Sequence, residues 1–107
     1  MHLFGDNFTG PGTNLEERLD ENDKPLPDSI PVDKIDWLAY YHDLKYRDAG
    51  NDLNLKHQAD REMIEGLKQL KNLTLKEKFK KAIVLKALQT KVKLGMGLSK
   101  NLETPMT

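Results

Sequence analysis

From Asp33 onward the chain is written in steps of three and four, the spacing of one helix face, and this restricts it to packed helices. Ile35, Leu38, His42 and Tyr46 mark a helix over about 33–48, with Asp33 after Pro31 as its N-cap. Ala49-Gly50-Asn51-Asp52 ends it, since glycine suits the backbone just past a helix C-terminus. Leu53, Leu55, Ala59, Met63, Ile64, Leu67 and Leu70 mark a second helix, about 53–70, antiparallel to the first because the connection is short. Thr74-Leu75-Lys76-Glu77 has the form of a capping box. Phe79, Ile83, Val84, Ala87, Leu88 and Val92 then carry a third helix over about 74–93, which Gly95 and Gly97 are expected to end.

Packing of these helices has to hold the domain together, with the help of any bound cation. The chain has no cysteine, so neither disulfides nor thiolate metal ligation contribute. A length of 107 residues suits one domain, placed at 1–98, with 99–107 expected to be a mobile tail. No apolar run approaches the roughly 20 residues of a membrane span. The first residues, Met1-His2-Leu3-Phe4-Gly5-Asp6, lack the basic start and apolar stretch of a secretory signal.

Net charge is zero but unevenly spread: 12 of the 17 acidic residues lie in 1–52 and 12 of the 17 basic residues in 53–107. An acidic half suits a hard cation, and a basic half suits an anionic surface such as a phospholipid head-group layer. The third helix concentrates the basic side, with Lys76, Lys78, Lys80, Lys81, Lys86, Lys91 and Lys93 on its polar face. Lys78, Lys81 and Lys86 are the candidate membrane-binding residues. Balanced charge and the lack of a base-reading motif leave no specific nucleic-acid partner.

Two segments precede the helices. Gly5-Asp6-Asn7-Phe8-Thr9-Gly10-Pro11-Gly12-Thr13-Asn14 has three glycines and a proline among small polar residues, which describes a loop with unusual backbone demands. Asp20 to Pro31, with Pro25, Pro27 and Pro31, reads as a surface connection. Asp20-Glu21-Asn22-Asp23 lacks the glycine and terminal glutamate of an EF-hand.

His42 and Asp43 are neighbours on a helix and point about 100° apart, so they can address two ligands in one cavity. Tyr46 lies one turn on, on the same face as His42. A hairpin at 49–52 can bring Asp60 of the second helix opposite His42, where a carboxylate fixes the imidazole tautomer and stabilises its charged form. Tyr46 could donate to that carboxylate. The glycine loop complements them, because calcium accepts main-chain carbonyls and glycines let a tight loop turn several inward. Carbonyls from alternate residues of Phe8-Thr9-Gly10-Pro11-Gly12 could form such a site, completed by Asp43.

The sequence resembles the phospholipase A2 domains of parvovirus capsid proteins. The likeness rests on Gly10-Pro11-Gly12-Thr13-Asn14-Leu15, on His42-Asp43-Leu44-Lys45-Tyr46 and on His57-Gln58-Ala59-Asp60, in that order, and spans roughly residues 4 to 93. It implies an all-α fold: a calcium loop, an antiparallel pair of catalytic helices and a basic C-terminal helix, without disulfides. It implies that the carbonyls of Phe8, Gly10 and Gly12 bind Ca2+ with the Asp43 carboxylate. His42 would be the general base, Asp60 and Tyr46 its support, and the Gly10 amide an oxyanion donor. The reaction implied is hydrolysis of the sn-2 ester of a glycerophospholipid, giving lysophospholipid and fatty acid. The resemblance further implies tethering to a capsid protein of the virion and a role in breaching the endosomal membrane during entry.

Phe8 stands where tyrosine often begins the loop, a change that a carbonyl ligand tolerates, and the segment Asp20 to Pro31 is longer than the family's usual connection. Candidates for the lipid channel are Leu3, Phe4, Leu15, Leu19, Trp37 and Leu38, though most of them are better read as ordinary core. A catalytically silent lipid-binding module and a helical protein-interaction domain stand as alternatives. Intact His42, Asp43 and Asp60 speak against the first, and the closely spaced glycines against the second.

Overall fold

Asp33, Asp52 and Thr74 start the three helices by the same device: each side chain accepts a main-chain N–H that the first helical turn leaves unbonded. Asp33 Oδ1 accepts from Asp36 N at 2.8 Å and opens α1 (Lys34–Ala49). Asp52 Oδ1 accepts from Leu55 N at 3.1 Å and opens α2 (Leu53–Gln69). Thr74 and Glu77 form a reciprocal capping box ahead of α3 (Leu75–Glu103), with Thr74 N donating to Glu77 Oε1 at 2.9 Å and Glu77 N to Thr74 Oγ1 at 3.1 Å. Gly50 closes α1 at φ 57°, a backbone angle that side chains with a Cβ disfavour.

The computed structural model describes residues 6–9 and 14–103, with side chains as far as Leu94. Among the described residues it is an all-helical domain with no strand, one isolated bridge joining Leu19 and Pro25. α1 and α2 run antiparallel, since Leu38 packs on Gly66 while His42 meets Asp60. α3 returns along α2 and places Lys91 beside Asp60. Phe8, Leu19, Ile35, Ala39, Tyr40, Met63, Leu67, Val84 and Leu88 form the core.

α3 departs from the sequence reading in two ways. It continues through Gly95 and Gly97 to Glu103, so the tail expected from Ser99 is helical that far; residues 104–107 lie outside the described set. Its buried row keeps the expected Val84 and Leu88, but Phe79 and Ile83 are exposed and Lys80 stands in line with Val84 and Leu88 in their place. Lys80, expected on the solvated face, is 1% exposed, and its Nζ donates to Asp6 Oδ1 at 2.9 Å, to Asp6 Oδ2 at 2.8 Å and to Asp33 Oδ2. Burial disfavours the ammonium, but hydrogen bonds to Asp33 and Asp6 outweigh it and hold Lys80 above its ordinary pKa.

This three-residue cluster joins the N-terminal segment, the start of α1 and α3. Lys80→Met is expected to destabilise the domain by about 3–5 kcal/mol, because it leaves two carboxylates in the interior without their cation. Urea unfolding followed by circular dichroism measures this, with no change expected in the slope of the transition.

The connection between Leu19 and Pro31 is tied down more firmly than a surface loop needs to be. Arg47 on α1 grips Asp23 with two hydrogen bonds of 2.9 and 2.8 Å, and the Tyr40 hydroxyl donates to the Asp23 carbonyl. Asp20 Oδ1 closes the turn by accepting from Asn22 N and Lys24 N at 2.8 and 2.9 Å.

Candidate active site

Antiparallel packing of α1 on α2 sets His42 against Asp60. His42 Nε2 lies 2.6 Å from Asp60 Oδ1, and the Tyr46 hydroxyl donates to Asp60 Oδ2 at 3.0 Å. Asp60 is 0% exposed, so its charge is sustained by these donors rather than by water. Burial raises its pKa, but the His42 hydrogen bond, the Lys91 charge and the Tyr46 hydrogen bond prevail and hold it below the usual carboxylate value. An ionised carboxylate only accepts, so His42 Nε2 carries the hydrogen and Nδ1 keeps a lone pair. Burial works against protonation of His42, yet the neighbouring carboxylates of Asp43 and Asp60 outweigh it and raise its pKa. That combination, an imidazole with a lone pair and a partner that favours its protonated form, is what a general base requires.

Asp43 sits on the Nδ1 side, its Oδ1 3.8 Å from that nitrogen. Its Oδ2 is buried and meets no hydrogen-bond donor among the described residues. Burial raises the Asp43 pKa. An orphaned carboxylate oxygen of this kind fits a cation ligand, because a metal ion compensates desolvation where no donor does. Among the described residues no group of three or more His, Cys, Asp and Glu could hold a metal. Main-chain carbonyls could supply further oxygens to a cation bound at Asp43.

The expected main-chain ligands belong to the N-terminal segment. Of these, Gly10 and Gly12 lie outside the described residues, as do Leu3 and Phe4. Phe8 is buried, its ring set edge-on to Tyr40 at 5.1 Å. Its position is dictated by Asp36, a fully buried carboxylate that accepts from Asn7 N at 2.9 Å, Phe8 N at 2.8 Å, Thr9 N at 3.0 Å, Thr9 Oγ1 at 3.0 Å and Val32 N at 3.1 Å. One side chain of α1 thus anchors the segment leading into the glycine loop, two turns before His42. A disulfide could serve that purpose in a chain with cysteines.

A cavity of about 400 Å³ opens on His42, Asp43 and Tyr46 and is walled by Phe8, Ala39, Met63, Ile83, Val84, Ala87 and Leu88. An apolar wall around His42 and Asp43 suits a substrate with a hydrocarbon chain and a polar reacting centre. A model of the family described as Phospholipase A2-like domain matches residues 1–91. The chain belongs to that family. Comparison with curated proteins and with solved structures gives no match.

Of the candidate channel residues, the four that are described do not line the cavity of this phospholipase A2-like domain. Leu15, Leu19 and Leu38 pack with the core, and Trp37 is partly exposed. Nor do Lys78, Lys81 and Lys86 reach it: Lys78 and Lys81 border a separate depression with Leu70, Leu73 and Leu85, and Lys86 is exposed. The lysine that does reach the cavity is Lys91, set over the Tyr46 ring with Nζ 3.9 Å from its centroid. Sequence reasoning also passed over Asp36, because an acidic residue in the first turn of a helix is ordinary. Lys91 had a signal, the continuation of the row Lys80, Val84, Leu88 by three, but charge placed it on the solvated face.

Proposed function

We propose that this domain catalyses calcium-dependent hydrolysis of the sn-2 acyl ester of glycerophospholipids. The observation that carries the reading is the chain Tyr46, Asp60, His42 opening on an apolar cavity beside the unpartnered Oδ2 of Asp43. With the acyl chain against Phe8, Met63, Val84 and Leu88, the ester would lie at His42. There Nδ1 takes a proton from a water whose oxygen bonds to the ester carbon. Asp60 holds the resulting imidazolium in place, and Tyr46 holds Asp60. The imidazolium then passes its proton to the departing sn-2 oxygen as the carbon–oxygen bond breaks, giving lysophospholipid and fatty acid. Asp43 and the carbonyls of Phe8, Gly10 and Gly12 would hold calcium, which when bound would polarise the ester carbonyl as a Lewis acid and offset the phosphate charge. The Gly10 amide is the further oxyanion donor.

The domain's partner in this proposal is a phospholipid surface, which the exposed Lys78 and Lys86 and the half-buried Lys81 of α3 would meet. It is carried by a capsid protein and acts at the host endosomal membrane during virus entry; the motif resemblance is the support for that part.

Fatty-acid release from mixed phospholipid vesicles tests the activity. Release is expected with calcium and is expected to fall to background in excess chelator, with the fold retained by circular dichroism. A folded chain that releases nothing from any vesicle with calcium present would leave a membrane-binding module without catalysis.

A further inference from the structure

Lys91 is the sole lysine or arginine among the described residues lining the catalytic cavity. Its Nζ stands 3.5 Å from Asp60 Oδ1, beyond the 2.7–2.9 Å typical of a charged N–H···O bond. Asp60 has two closer partners, since Oδ1 meets His42 and Oδ2 accepts from Tyr46. The ammonium is thus held by attraction to the Tyr46 ring and a nearby carboxylate, with none of its three donors engaged in a close hydrogen bond among the described residues. Its side chain is 48% exposed, so it has freedom to move toward the open end of the cavity. A mobile cation with unused donors, at the solvent end of an apolar cavity and one side chain away from the general base, suits a substrate whose anionic group lies a few bonds from its ester.

Resting on the hydrolase reading above, we propose that Lys91 recognises the substrate phosphodiester. With the sn-2 ester at His42, the ammonium leaves the Tyr46 ring and pairs with a non-bridging phosphate oxygen, and Asp60 stays with His42 and Tyr46. Lys91 then sets selectivity for phospholipids over uncharged acylglycerols, a task separate from that of the lysines on the outer face of α3.

The test is calorimetric binding, in calcium, of a short-chain diether phosphocholine that cannot be hydrolysed and of the matched phosphate-free diether glycerol. Lys91→Met is expected to weaken the phosphocholine about tenfold, in keeping with one charge-assisted hydrogen bond, and to leave the phosphate-free ether unchanged. Lys91→Arg is expected to restore most of the difference. Equal losses for both ligands, no loss for either, or no binding of the phosphocholine by the wild-type chain would overturn the proposal. Inorganic phosphate separates the two sources of the anion, and its competition at the diether's own Kd would overturn the assignment to a lipid.

Kinetics on monomeric short-chain phosphatidylcholine then separate binding from positioning. KM is expected to rise about tenfold in Lys91→Met with kcat nearly unchanged; a fall in kcat at constant KM would assign the residue to holding Asp60 and overturn phosphate recognition. A wild-type chain that binds the diether but hydrolyses no ester would contradict the hydrolase reading alone, the binding comparison still deciding the role of Lys91.

Discussion

His42→Gln is expected to lower calcium-dependent fatty-acid release by about 10³-fold, within the range of a lost general base, while the melting temperature shifts by a few degrees at most. Glutamine is the informative replacement. Its amide N–H can still donate to Asp60, which with 0% exposure would otherwise lose the closest of its partners at 2.6 Å. The amide cannot take a proton from water near neutral pH, so chemistry is removed and the polar network is kept. Release that persists within tenfold of wild type, from a variant with an unchanged far-ultraviolet spectrum, would mean that another group activates the water.

Asp36→Ala is expected to act on stability and calcium affinity together. Its carboxylate accepts five hydrogen bonds, and those from Phe8 N, Thr9 N and Thr9 Oγ1 are buried. Each buried donor left without an acceptor costs about 1–3 kcal/mol, so the three together cost about 3–9 kcal/mol, at least as much as Lys80→Met and much of the roughly 5–15 kcal/mol typical of a folded domain. Any fraction that stays folded has lost the anchor of the segment leading to the glycine loop, and its calcium affinity is expected to fall at least tenfold. Thermal unfolding with and without calcium reads both effects: the wild-type midpoint rises with added calcium, and that of Asp36→Ala rises much less. An Asp36→Ala chain with the wild-type midpoint and the wild-type calcium response would show that the loop is held by something else.

The two arguments draw on different kinds of residue. His42, Asp43, Tyr46 and Asp60 are each ordinary taken singly and were legible only as a group, because the hairpin at 49–52 supplies a reason for them to meet. Asp36 and Lys80 were not, because each is a common residue in an amphipathic helix and helical spacing cannot tell a solvated charge from a buried one. Such a charge becomes visible once its partners are known, and these come from distant parts of the chain: Asp6 lies 74 positions from Lys80, and Thr9 lies 27 from Asp36.

The inward turn of Lys80 has the same origin. Phe79 and Ile83 are more hydrophobic, and a rule that sums hydropathy puts them in the inward row with Val84 and Leu88. The structure keeps Val84 and Leu88 inward and sets Lys80 in line with them, because Asp6 and Asp33 need a cation and the four-carbon lysine stem packs as apolar surface on the way to them. Glycine misled for a related reason. One glycine within a helix costs only about 1 kcal/mol, so Gly95 and Gly97 weaken α3 without terminating it, whereas Gly50 ends α1 because its φ of 57° is incompatible with continuing.

By itself the sequence determined the three helices and most of their starts, since caps and apolar period are local and act within one or two turns. It also determined the family, through three motifs in order, and the residues that could carry the chemistry. Tertiary structure alone decided which charges are buried, which apolar side chains wall the cavity and which lysine stands inside it. The physical reason is that a buried charge is tolerated only where an opposite charge or several donors converge on it, and that convergence is a property of packed helices rather than of any one segment.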